Sequence, residues 1–143
     1  MKLWTRLFIA VMLTGMFAAG AESQVAGTWQ GKLHDLPAVT LSVKDDGGKL
    51  SGTVMFYLLR YDSHGWTVDT NHSLALPIID PKPKGEILFF KVSHREAHPP
   101  RTLNDPPVSF QLRLTGKNEA ELENMDEGKT GNQDNPLKMT REQ

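Results

Sequence analysis

Val39-Thr40-Leu41-Ser42-Val43-Lys44-Asp45-Asp46-Gly47-Gly48-Lys49-Leu50-Ser51-Gly52-Thr53-Val54 reads as two strands and the turn between them. Val39, Leu41 and Val43 alternate with Thr40, Ser42 and Lys44, the period of two that sends successive side chains to opposite faces of a sheet. Asp46-Gly47 is a strong two-residue hairpin signal, because both positions tolerate positive φ. A turn centred there sets Val43 opposite Leu50, Leu41 opposite Gly52 and Val39 opposite Val54. Apolar residues then meet apolar residues or glycine. A one-residue slip would set Leu50 against Lys44, so the pattern disfavours it. One face of this hairpin is dry and the other wet.

The same alternation recurs at Val108, Phe110, Leu112 and Leu114 against Ser109, Gln111, Arg113 and Thr115. No helical period competes with it. The chain divides into eight expected strands: Val25–His34, Ala38–Lys44, Lys49–Leu59, Ser73–Ile79, Gly85–His94, Val108–Thr115, Glu119–Met125 and Leu137–Glu142. Glycine, proline and asparagine clusters separate them. The expected fold is all-β, an eight-stranded antiparallel up-and-down barrel, since closure leaves no exposed edge. A two-sheet sandwich is the alternative. Val39, Leu41, Val43, Val54, Phe56, Leu88, Phe90, Phe110, Leu112 and Met139 are its inward candidates. Phenylalanine and leucine at this density would either fill the lumen or line an apolar pocket.

In a meander, successive links lie at opposite ends. Those expected after strands two, four and six are short: Asp45–Gly48, Asp80–Lys84 and Gly116–Asn118. Those after strands three, five and seven are long: Arg60–His72, Arg95–Pro107 and Asp126–Pro136. The long loops therefore gather at one end, the mouth, where function concentrates.

The chain has 143 residues, 38% hydrophobic and 23% charged, the balance of an ordinary globular protein rather than a disordered or membrane-embedded one. Lys2 and Arg6, an apolar run from Leu7 to Ala19 and the small-x-small site Ala19-Gly20-Ala21 have the three-part form of a secretion signal. The run has 13 residues, short of the roughly 20 a membrane span needs. Residues 1–21 are thus expected to be a signal peptide and 22–143 a single domain, exported to the periplasm or secreted, with no membrane span after cleavage. The mature part carries 14 basic and 17 acidic residues, which gives no electrostatic case for nucleic acid. Cysteine is absent, and with it disulfides, thiolate metal sites and a cysteine nucleophile.

Val25-Ala26-Gly27-Thr28-Trp29-Gln30-Gly31 opens the first strand on a Gly-x-Trp motif, and Leu137-Lys138-Met139-Thr140-Arg141 closes the last on Thr-Arg. With eight strands between them, these ends resemble the calycin group of barrels: lipocalins, fatty-acid-binding proteins and avidins. The likeness is nearest to small lipocalin-like domains of exported bacterial proteins. It implies that Trp29 closes one barrel end with Arg141 packed across it. Parity agrees, since Trp29 shares a face with Val25 and Leu33, and Arg141 with Leu137 and Met139. The first hairpin is also similar to avidin. Avidins, however, place a biotin-binding asparagine two residues after the motif tryptophan, where this chain has Gly31, so biotin binding is not carried over.

His34, His64, His72, His94 and His98 all fall at the expected mouth. A metal site would need three to converge, yet their spacing matches no ligand motif, so no metal or other cofactor is expected. Glu119, Glu121 and Glu123 alternate with Ala120 and Leu122 and read as a wet outer face. Asn71-His72-Ser73 is a glycosylation sequon. No nucleophile elbow, phosphate loop or paired-carboxylate motif appears, so the expectation is a monomeric binding protein and not an enzyme. Its ligand would be small and apolar or amphipathic. Tyr57, Trp66, Phe90 and Phe110 would make the apolar contacts, and Arg60, Arg95 or Arg101 would hold an acidic head through the guanidinium fork. A filled barrel serving as an interaction module and a metal-dependent enzyme using the mouth histidines are the alternatives.

Overall fold

Strand alternation becomes β-structure where it was expected, and tertiary pairing adds the rest. The computed structural model describes residues 23–93, 106–126 and 136–143. These form β1 (Gly27–Leu33), β2 (Leu36–Asp46), β3 (Lys49–Phe56), β4 (Leu58–Asp62), β5 (Gly65–Asp69), β6 (Ala75–Lys84), β7 (Ile87–Val92), β8 (Val108–Gly116), β9 (Glu119–Asn124) and β10 (Leu137–Arg141). Eight strands close an antiparallel barrel in the order β1-β10-β9-β8-β7-β6-β3-β2, and β4 and β5 make a separate two-stranded sheet. The expected fold class is correct.

The β2–β3 register differs from expectation by two residues: Val43 faces Gly52, Leu41 faces Val54 and Val39 faces Phe56. The turn is Gly47-Gly48, not Asp46-Gly47. Both glycines have positive φ, 64° and 95°, as a type I′ turn requires, and the Asp45 carboxylate accepts the Gly48 N–H at 2.7 Å. A slip of two preserves parity, so every side chain keeps its expected face.

Two further corrections concern the ends of strands. The third strand stops at Phe56 rather than Leu59, and the expected loop from Arg60 to His72 contains most of the β4–β5 hairpin. The expected loop Asp80–Lys84 is the end of β6, which bulges between Ile79 and Lys82 with Asp80 at φ 49°. Two prolines made that stretch read as a breaker. β6 pairs with β3 only through Ala75–Pro77, and Pro83 faces Leu88, a pairing whose backbone groups point away from β7. Its missing N–H therefore falls on a side with no partner strand.

The barrel interior is apolar throughout. Among the described residues no buried polar or charged residue occurs. The largest fully buried side chains are Trp29, Phe90, Leu41, Leu88, Leu112 and Met139, each stabilising by about 1.5–3 kcal/mol on removal from water. All ten inward candidates are buried or packed against this cluster.

Candidate functional site

β1 and β10 meet at the closed end of the barrel, with Trp29 opposite Arg141. The indole N–H of Trp29 donates to the Val25 carbonyl at 2.9 Å, and the Arg141 guanidinium lies 4.5 Å from the ring centroid. Arg141 also donates to the Ala26 carbonyl at 2.9 Å and to the Gln24 carbonyl. This clasp ties the entering chain to the last strand and shuts the base, the geometry the family resemblance implied. A groove of about 500 Å³ also opens at this end, its rim mixing Arg141 and Lys117 with Glu86.

Above the clasp, side chains of β10 pack against β1. A Cβ on Gly31 would lie 2.6 Å from both Leu137 Cδ2 and Met139 Sδ, so β10 side chains already occupy the place of avidin's asparagine. Further up, Phe90 stacks on Phe110 at 5.6 Å and Phe110 meets Phe56 at 5.5 Å. The row runs from the fully buried Phe90 to the half-buried Phe110 and Phe56, with Leu59, Leu76 and Leu137 also packed on the core. Parity put all three phenylalanines inward, and pairing near the strand ends places Phe110 and Phe56 at the mouth.

The β4–β5 hairpin stands at the same end. Leu59 and Val68 pair on one face beside Tyr61 and Trp66. Trp66 stacks on His34 at 4.2 Å with an interplanar angle of 7°, and Tyr61 leans on Trp66 at 5.2 Å. His34 and Asp35 form the β1–β2 turn with φ of 53° and 62°, so the stack joins two tips of the molecule. On the other face Asp69 accepts from Arg60 at 2.7 Å and is 2.8 Å from His72 Nδ1. Partial desolvation works against the Asp69 charge. The His72 hydrogen bond, the Asn71 amide and the charges of Arg60 and His72 outweigh it and hold the carboxyl below its ordinary pKa.

These placements separate the residues expected to act together. Phe90 and Phe110 share the lumen. Tyr57 lies beside the barrel wall, its hydroxyl 3.3 Å from Thr40 Oγ1, a residue of the outward set. Trp66 sits on the hairpin, and Arg60 is already engaged by Asp69. Arg95 and Arg101, with His94 and His98, lie outside the described residues. Of the other histidines, His34 packs on Trp66 and His72 on Asp69, while His64 occupies the β4–β5 turn. Among the described residues no three metal-ligating side chains converge. The His34–Trp66 stack and Asp69 were not anticipated. Leu59 and Tyr61, then Trp66 and Val68, do alternate with polar residues, which was the available signal for the hairpin.

Comparison with protein-family models, with curated proteins and with solved structures finds no match to this chain. What the fold defines is a class: a closed, eight-stranded antiparallel barrel compatible with a calycin-like architecture.

Proposed function

We propose that the mature chain is an exported, lipocalin-like binding protein that takes the apolar part of a small amphipathic molecule into the mouth of its barrel. One observation carries this reading: the Phe90–Phe110–Phe56 row passes from the sealed core to the half-exposed mouth within a ring of aliphatic side chains. Stacked and tilted aromatic faces at the end of a closed barrel suit a hydrocarbon or ring system entering end-on. Leu137 and Met139 crowd the space over Gly31, which favours the phenylalanine row as the site. Trp29 and Arg141 are structural. Arg60 lies on the hairpin face that carries Asp69, not on the inner face of the barrel, so an acidic head group would draw on Arg95 or Arg101. Export rests on the signal-like first 21 residues.

A second reading, a barrel that docks another macromolecule without a ligand, is favoured by the exposure of Leu33, Leu58, Tyr61, Trp66, Leu74 and Met125 at or beside the mouth.

Titration of the mature chain with N-phenyl-1-naphthylamine, followed by displacement with long-chain fatty acids, tests the proposal. Saturable binding is expected, with Phe110→Ala weakening it about tenfold, the ~1.4 kcal/mol of one lost aromatic contact. No saturable binding, or equal binding by the variant, would overturn it in favour of the second reading.

A further inference from the structure

The β4–β5 sheet has only two strands, and its outer edge can be read residue by residue. The turn Ser63-His64 is closed by the pair Asp62–Gly65. In a two-residue hairpin that pair and the next but one, Arg60–Thr67, exchange backbone hydrogen bonds. The N–H and C=O groups of Leu59 and Tyr61 therefore point away from β5. On the same edge Tyr57 gives its N–H to Ala38 at 2.9 Å, so the edge is occupied where it leaves the barrel; beyond it, among the described residues, Leu59 and Tyr61 face no backbone partner. The free part of β6 is guarded differently. Along the free part of β6 stand Pro81, Lys82, Pro83 and Lys84, the residues that discourage strand pairing. β4 is Leu-Leu-Arg-Tyr-Asp, with no proline, lysine or bulge. Leu58 is 46% exposed, Tyr61 71% and Trp66 42%.

We propose that β4 is a self-association edge, paired antiparallel about a two-fold axis with β4 of a second copy of this chain. The charges select that occupant and its register. With Tyr61 opposite Tyr61 of the partner subunit, Arg60, whose guanidinium stays 59% exposed while it holds Asp69, falls opposite Asp62 of the partner subunit, and the symmetry repeats the pair. The alternative register that aligns Arg60 with its own copy is repulsive. The chosen register also matches the backbone: the outward groups of Tyr61 meet their own copies on the axis, and those of Leu59 face Ser63 of the partner subunit. Side chains opposite one another share a face, so Trp66, Tyr61 and their two copies form one aromatic row across the joint, and the two ion pairs lie on the opposite face. A short joint with a central aromatic pair and a charged rim gives a reversible dimer. It replaces the monomer expected from sequence and does not depend on ligand binding.

Sedimentation of the mature chain over a micromolar-to-millimolar series, with charge-reversed variants, tests the register. Arg60→Asp places two acidic residues opposite one another, and Asp62→Arg places two arginines. Each variant alone should self-associate at least about tenfold more weakly than the wild type. Mixed together, the two are complementary at both positions, and association should return to within about threefold of wild type. Damage inside either chain would not be repaired by mixing, and unchanged acrylamide quenching of Trp66 reports that the hairpin of each variant stays in place. A wild type that stays monomeric to millimolar concentration, variants that associate like it, or a mixture of folded variants that stays monomeric would each overturn the proposal. Open-ended growth beyond a dimer would overturn the two-fold axis.

Discussion

Replacing Arg141 by methionine keeps most of the side-chain volume over Trp29 and removes the guanidinium. Lost with it are the donors to the Ala26 and Gln24 carbonyls and the contact 4.5 Å from the indole centroid. Two hydrogen bonds from a charged donor are worth roughly 1.5–3 kcal/mol each, and a partly desolvated cation–π contact about 1 kcal/mol. Against this, Arg141 Nε is buried without a partner, and releasing an ordered arginine returns about 1–2 kcal/mol of conformational entropy. The net expectation is a loss of about 2–4 kcal/mol. A folded chain of roughly 120 residues unfolds with an entropy near 0.25 kcal/mol per kelvin, so the melting temperature should fall by about 8–16 °C. Arg141→Lys, which keeps a charge but not the fork, should recover only part of this. Calorimetry on residues 22–143 measures all three proteins, and Trp29 emission should shift to the red in the methionine variant. A melting temperature within about 2 °C of wild type would refute the reasoning, because the barrel would then close without its clasp.

Gly52→Ala should destabilise more than Gly31→Ala in urea, by about 3 kcal/mol against about 1–2. A Cβ at Gly52 meets the Ser42 backbone oxygen at 2.0 Å, whereas at Gly31 it meets the movable ends of Leu137 and Met139; the reverse order would sink this account. The Asp69 carboxyl has a folded pKa below its ordinary value of 3.8, so its contribution to the hairpin is present above pH 3.8 and lost as pH falls through the lower folded value. Trp66 quenching by acrylamide should therefore stay flat from pH 6 to about 4 and rise below it, while Asp69→Asn should show the raised level already at pH 6. A wild-type midpoint above 3.8 would contradict the arrangement.

Much of the fold was legible because strand parity is a local property. Each inward candidate from Val39 to Met139 is inside, and parity survived even the two-residue error in the β2–β3 register. That error arose because Asp46-Gly47 and Gly47-Gly48 are both good turn formers, and only the full ladder shows which closes it. Asp80–Lys84 was misjudged because proline breaks strands that are paired on both sides, and sequence does not show that β3 leaves β6 after Pro77. The β4–β5 hairpin was hidden inside a stretch taken for a long loop.

The candidate site was legible in part for the same reason. Phe90 and Phe110 lie on one inner face, which alternation determines. Tyr57, Trp66 and Arg60 were grouped with them by nearness along the chain, and the hairpin carries that segment to the outer wall and rim instead.

Alternation and turn residues were enough to determine an all-β chain and its inner and outer faces, while the packing of Arg141 across Trp29 was what the resemblance to calycin barrels implied. The faces depend on backbone geometry over a few residues and on parity, which a shift of register by two leaves unchanged. Tertiary structure alone decided which distant side chains touch: Phe56 with Phe110 at the mouth, His34 under Trp66, and Asp69 between Arg60 and His72. Those contacts depend on barrel closure and on the path of a hairpin outside it, both set by the whole chain at once.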